Sequence, residues 1–318
     1  MHNIYDIAIV GGGPAGIASA VEAVLAKIHN VVIFEKGDNH SMTIRKFYKD
    51  KKRVDKDWKG KKTDLYGNVI FMDGTKESTL DLFDNMIEHH NLDAKFNTNI
   101  EHIEKRDNLF YIETANNETF KAKYVIIAIG NMGRPNKPRY KLPTSLKKVI
   151  GFNLENAKEN EKVLVVGGGN SAAEYAYFLA DNNDTTLNYR RDTFSRLNPE
   201  NEELLYKCEK EGNLTLKLGI DIVEVSDICG KVQVKYSDDS IEVFDRVIYA
   251  IGGVLPTDFL KKCGVELNEK GRPICDKNHE SYTDGLYVGG DVAAHFASSI
   301  ASSLNHAYTI IAHIKKKL

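Results

Sequence analysis

The sequence predicts an α/β protein made of two Rossmann-like domains. One observation is a repeated unit: an apolar run, a glycine turn, a helix and a second apolar run occur at the start of the chain and again in its middle. Another is the alternation of further short apolar runs with helical patterns, which implies parallel sheets joined by right-handed crossovers. A third is size, since 318 residues correspond to roughly two ordinary domains.

The first unit opens with residues 7–10, a short apolar strand, followed by Gly11-Gly12-Gly13-Pro14-Ala15-Gly16. Ile17, Ala20, Val21, Val24 and Ile28 then recur at helical spacing, and residues 31–34 form a second strand ending at Glu35. In mid-chain, residues 163–166 form a strand, Gly167-Gly168-Gly169-Asn170-Ser171-Ala172 the turn, and residues 173–180 the helix. The next strand, residues 185–189, ends in Arg190-Arg191. Residues 123–129, 246–251 and 285–288 are further buried strands, each running into glycine: Gly130, Gly252-Gly253 and Gly289-Gly290-Asp291. Residues 298–316 read as an amphipathic helix with Ile300, Leu304, Tyr308 and Ile311 on one stripe. Residues 111–114 and 232–236 alternate with period two, as antiparallel ribbons with one wet face do. Pro135, Pro138 and Pro143 mark an irregular connection after Gly130.

A dinucleotide cradle needs small residues at G-x-G-x-x-G/A spacing. One permits the tight turn, one lets backbone approach the pyrophosphate, and one lets helix and strand pack closely. Gly11, Gly13 and Gly16 fit, and so do Gly167, Gly169 and Ala172. The anion then lies at the helix N-terminus, against Pro14 and Ala15 in one loop and Asn170 and Ser171 in the other. Glu35 can accept hydrogen bonds from an unphosphorylated ribose and would repel a 2′-phosphate. Arg190 and Arg191 offer donor forks suited to that phosphate. The first site therefore calls for FAD or NAD and the second for NADPH.

Composition bounds the rest. The chain is 42% hydrophobic and 28% charged, which suits a folded protein and not a disordered one. Its net charge of −2 gives no whole-protein grip on nucleic acid. No apolar run reaches a membrane span, and a strand and glycine loop beginning by Asp6 leave no signal peptide, so a cytoplasmic location is expected. Cys208, Cys229, Cys263 and Cys275 are scattered, with neither a redox pair nor zinc-ligand spacing. No metal site is expected. Residues 45–62 hold ten basic and three acidic residues, interleaved with Phe47, Tyr48 and Trp58. Such a stretch is either a solvated surface or a docking face for an acidic redox partner.

The motif order resembles that of two-dinucleotide-binding flavoproteins, and length and spacing resemble the low-molecular-weight thioredoxin reductases over essentially the whole chain. The resemblance implies an FAD domain split by an inserted NADPH domain, and a homodimer. On it, residues 1–113 and 247–318 form the FAD domain and residues 114–246 the NAD(P)H domain. It implies FAD contacts at Lys36, Ser41, Met42, Gly130, Gly290 and Asp291, besides the first glycine loop and Glu35. It also implies that the last helix points its N-terminus, near Ser299 and Ile300, at the flavin. Glu174, on the second loop's helix, matches a position placed to hold the nicotinamide amide; its plainer reading is a partly exposed helical glutamate. Asn305 and His306 either tune the flavin or are packing residues.

Three departures refine the expectation. Thioredoxin reductases carry a Cys-x-x-Cys pair shortly before the second glycine loop, where this chain reads Val149-Ile150-Gly151-Phe152-Asn153-Leu154. Bacillithiol-disulfide reductase-like proteins have a cysteine inside the first loop, where this chain has Ala15. Ferredoxin–NADP reductases of this fold carry an aromatic C-terminal extension, and this chain stops at Leu318 after a lysine run. The nearest resemblance is to the flavodoxin:quinone reductases, or NADPH–flavodoxin oxidoreductases. It rests on residues 47–57 and Leu304-Asn305-His306. The expected function is electron transfer from NADPH through FAD to flavodoxin, a quinone or a similar carrier. Alternatives are a thioredoxin or low-molecular-weight disulfide reductase and a non-catalytic flavin redox sensor. The cofactor carries the redox chemistry, so no residue is assigned as a catalytic acid or base.

Overall fold

The computed structural model describes residues 4–57, 62–131, 134–294 and 299–318. Trp58, within the basic stretch, and Ser298, at the expected start of the last helix, lie outside the described residues. The chain forms two compact units, Met1–Arg134 with Val254–Leu318, and Pro135–Gly253.

The first unit is built on a sheet ordered Asp93–Lys95, Val31–Phe34, Ile4–Val10, Thr119–Ile127, Leu109–Thr114, Ile100–Arg106, with Leu286–Val288 also paired to Thr119–Ile127. Its central strands are parallel. Successive residues point to opposite faces of a strand, and here both faces are covered, so the strand reads as one continuous apolar run. Ile7, Ile9, Ile33 and Tyr287 meet helices Pro14–Leu25 and Ile300–Lys317 through Ala20, Ala23, Ile310 and Ile314. Ala8, Val10, Val32 and Val288 face the other way, toward Phe110 and Ile112 of the antiparallel ribbon and Leu260 and Val265. The last helix is fixed at its end by Lys317, whose Nζ lies 2.6 Å from Glu280 Oε1 and 2.8 Å from Asp284 Oδ1.

The second unit repeats the plan with a five-stranded parallel sheet, Ile150–Gly151, Arg246–Tyr249, Lys162–Val166, Asp184–Tyr189 and Leu214–Leu218. Helices Asn170–Leu179 and Pro199–Lys210 cover Val163, Val165 and Leu187. An antiparallel ribbon, Ile222–Ile228, Lys231–Tyr236 and Ile241–Phe244, covers the opposite face with Val232, Val234 and Tyr236 inward.

The unit boundaries differ from those expected. Strand Thr119–Ile127 was expected in the second domain, yet it pairs in register with Ile4–Val10 from Ile4↔Lys121 to Val10↔Ile127 and belongs to the first unit. Residues 247–249 were expected in the first domain, yet Arg246–Tyr249 pairs with Lys162–Val166 inside the second sheet. Both strands end in similar apolar runs, residues 124–127 and 247–249. Only their partners decide which unit holds them. No helix among the described residues is long and apolar enough to cross a membrane.

Candidate functional site

In the first unit, strand Ile4–Val10 ends in Gly11, whose N–H donates to Phe34 O at 2.8 Å and whose φ is +114°. A Cβ there would sit 2.5 Å from Ala128 O, so only glycine allows this turn. A Cβ at Gly16 would overlap the carbonyl oxygen of Gly11, which is the close helix–strand packing the third position requires. At Gly13 a Cβ would meet nothing within 4 Å. Gly13 is the N-cap of Pro14–Leu25, Pro14 stands in the first turn, and no side chain caps the helix. The first-turn amides of a helix lack intrahelical acceptors, so this end offers its N–H groups to an anion.

Glu35 lies at the end of the second strand with only 7% of its surface exposed. Its Oε2 accepts from Gly12 N–H at 2.7 Å and its Oε1 from Gly37 N–H at 2.8 Å. Each oxygen keeps a second lone pair, so the carboxylate is held rigidly in place and can still receive a ribose hydroxyl. Lys36 is exposed. Ser41 is buried, has φ +52°, and donates its N–H to Gly12 O at 2.8 Å. Its hydroxyl lies 3.0 Å from His40 Nδ1, and His40 Nε2 lies 2.7 Å from Asp84 Oδ1. Arg45 bonds both Asp84 and the His40 carbonyl. Burial pushes His40 below the usual histidine value. Met42 packs on Gly37, where a Cβ would be 2.5 Å from its Cγ.

The opposite strands complete the crevice. Gly130 follows Thr119–Ile127 with φ +70° and open space where a Cβ would be. Gly290 follows Leu286–Val288 with φ +74°, pressed so closely on Ala15 that a Cβ would lie 2.9 Å from the Ala15 Cβ. Asp291 Oδ1 accepts from Ser303 Oγ at 3.4 Å. Ser299 is committed to helix capping: its Oγ accepts from Ser302 N–H and its own N–H donates to Ser302 Oγ. The first-turn amides left for a ligand are those of Ile300 and Ala301. Sequence reasoning missed Asn131, whose buried Oδ1 has no hydrogen-bond partner among the described residues. An acceptor orphaned beside Gly130 fits a cofactor that donates to it. Position after a strand end was its only signal.

The second loop is built alike. A Cβ at Gly167 would overlap Ala250 O, and a Cβ at Gly169 would meet nothing within 4 Å. Helix Asn170–Leu179 also lacks a side-chain cap. Asn170 Oδ1 accepts from Asn198 N–H at 2.8 Å, which aligns the segment leading into Pro199–Lys210. Ser171 stands in the first turn and Ala172 is fully buried against the strand. Arg190 and Arg191, directly after Asp184–Tyr189, are both exposed.

Two polar helical residues are tied to other segments. Glu174 is buried, not partly exposed, and its Oε1 accepts from Asn201 Nδ2 at 3.1 Å. Its side chain ties the two helices of the second unit. Asn305 is a packing residue, accepting from Tyr66 N–H at 2.9 Å and donating to Asp64 O at 2.8 Å. The basic stretch is also partly neutralised, with Arg45 bonded to Asp84, Arg53 to Asp55 and Lys56 to Asp57.

All four cysteines are free thiols. Burial pushes the Cys263 and Cys275 thiols up to about 12. Residues 150–151, where thioredoxin reductases carry thiols nearby, form the edge strand of the second sheet. Among the described residues no group of His, Cys, Asp or Glu is placed to hold a metal.

Residues 8–290 match the family described as pyridine nucleotide-disulphide oxidoreductase. A ferredoxin–NADP reductase of Malacoplasma penetrans is 26% identical over 337 residues, covering 98% of this chain and 97% of the relative. One of Streptococcus sanguinis is 27% identical, covering 98% of this chain and 94% of that one. Among solved structures, the bacillithiol disulfide reductase of Bacillus cereus superposes with TM-score 0.83 at 22% identity, covering 99% of this chain and 100% of that chain. The T. acidophilum thioredoxin reductase gives 0.78 at 24%, with 98% of each covered. At these identities the structures speak for the fold alone. The chain belongs to the pyridine nucleotide-disulphide oxidoreductase family and is an NADPH-dependent flavoprotein oxidoreductase with FAD and NADPH as its cofactors.

Proposed function

We propose that the first unit binds FAD, the second binds NADPH, and electrons leave for a small one-electron carrier protein without passing through a thiol. The observation that carries the assignment of the units is the opposed chemistry of their strand ends. Glu35 is an anion fixed by Gly12 and Gly37 N–H, and Arg190 and Arg191 are exposed cations. Only the second end attracts a 2′-phosphate. Gly11, Gly13, Gly16, Gly130, Asn131 and Asp291 would hold FAD, and Gly167, Gly169 and Ala172 would seat the NADPH pyrophosphate.

FAD, when bound, supplies the conversion of a two-electron donor's equivalents into single-electron steps. The chain's own residues bind, orient and exclude water. The Gly13 and Gly169 helix ends take the pyrophosphates, Glu35 orients a ribose, and Asp291 stands ready for a hydroxyl. The high thiol values of Cys263 and Cys275 argue against a disulfide relay.

The acceptor in this reading is flavodoxin or a similar acidic carrier, and the ferredoxin–NADP reductase names of the relatives support a protein carrier over a quinone. The carrier would meet exposed cations of residues 45–62, such as Lys46 and Lys51. A homodimer belongs to the same proposal. Steady-state NADPH oxidation with flavodoxin, ferredoxin, a quinone and thioredoxin tests it. Turnover with a carrier protein and none with thioredoxin is expected. Preferred reduction of a disulfide substrate would overturn it.

A further inference from the structure

One face of the last helix holds the turn that presents Asp291. Ser303, His306 and Ile310 share that face by helical spacing. Ser303 Oγ donates to Asp291 Oδ1. Ile310 packs on Gly289, where a Cβ would lie 3.0 Å from its Cδ1. Between them, Gly290 N–H donates to His306 Nδ1 at 3.2 Å. The His306 ring also lies 4.0 Å, centroid to centroid, from that of His279. His279 is itself placed by the strand, since Val288 N–H donates to its carbonyl at 3.0 Å.

An amide N–H can only donate, so Nδ1 of His306 must be the acceptor. The ring is then neutral with its proton on Nε2. Gly290 has φ +74° and lies so close to Ala15 that only glycine's lack of a Cβ avoids a collision. The imidazole therefore sets where Gly290 N–H points, and with it the next residue, Asp291. We propose that His306 is a positioning residue for the FAD site, fixing the Gly290–Asp291 turn through Nδ1 so that the Asp291 carboxylate meets the cofactor preorganised. This rests on placing FAD in the first unit.

The test compares His306→Asn, His306→Phe and His306→Ala as holoenzymes. The Oδ1 of asparagine stands close to where Nδ1 stands and can accept from Gly290, whereas phenylalanine keeps the ring packing and offers no acceptor. FAD release on dilution, followed by flavin fluorescence, and the shape of the flavin's visible band are read alongside the far-UV spectrum. The Phe and Ala variants should hold FAD roughly tenfold or more weakly, the loss of one buried hydrogen bond. Their visible band should shift, and the Asn variant should stay close to wild type. Equal FAD retention and unchanged spectra in folded Phe and Ala variants would overturn the proposal. So would an Asn variant as impaired as the Ala variant. Wild-type protein that carries no FAD would overturn the cofactor placement beneath it, and that failure is seen before any variant is made.

Discussion

The two glycine loops predict a sharp split between positions that the fold needs and positions that the cofactor needs. At Gly16 a Cβ would collide with the Gly11 carbonyl, and backbone cannot give way cheaply. At Gly13 and Gly169 a Cβ has nothing within 4 Å, and φ is −90° and −113°, a region open to alanine. Gly13→Ala and Gly169→Ala should therefore fold, losing about 1 kcal/mol or less from the weaker N-cap. Each methyl fills space that the pyrophosphate needs. Loss of one charge-assisted contact to backbone N–H costs roughly 1.5–3 kcal/mol, so binding should fall on the order of tenfold to a hundredfold. Gly13→Ala should lose FAD, read as flavin per protein after gel filtration. Gly169→Ala should keep its FAD and raise KM for NADPH, read by stopped-flow or steady-state assay. Gly16→Ala should fail to fold or lose several kcal/mol in a urea melt. A Gly13→Ala protein that retains full FAD, or a Gly16→Ala protein as stable as wild type, would refute the division of roles.

Replacing Arg190 and Arg191 by alanine should raise KM for NADPH on the order of tenfold or more and leave NADH nearly unaffected; an unchanged preference between the two would remove the 2′-phosphate role. Alkylation of the native protein should modify exposed Cys229 quickly and Cys263 slowly, because burial pushes the latter thiol up to about 12, and NADPH–acceptor turnover should survive the treatment. Acid should weaken the fold through His306, which burial first and His279 second push from 6.5 down to about 4. The folded value lies below the unfolded one, so this contribution is complete above about 6.5 and is lost as pH falls toward 4. For a partly buried ring the loss is on the order of 2 kcal/mol. Urea midpoints at pH 7.5 and 5 should converge in His306→Asn relative to wild type, and parallel midpoints would contradict the assignment.

Period and spacing made the two cradles legible because glycine loops are local. Gly16 is demanded by the Gly11 carbonyl within the loop itself, and Gly11 and Gly167 by the carbonyls of Ala128 and Ala250 just past adjoining strands. Which strand joins which sheet was not legible. Thr119–Ile127 and Arg246–Tyr249 are interchangeable as apolar runs, and only their hydrogen-bonded neighbours place them in different units. The polar residues of helices were less legible still. Glu174 and Asn305 carry side chains whose partners a helical pattern does not show, and each is bonded by a distant segment: Asn201 for one, Asp64 and Tyr66 for the other. His306 shows the converse. As a lone histidine on an amphipathic helix it gave no reason to prefer function over packing. Only the meeting of its Nδ1 with Gly290 N–H, against the ring of His279, distinguishes it. A buried polar side chain is assigned by what it bonds. In this fold those partners lie on other helices and loops, at sequence separations where periodicity carries no information.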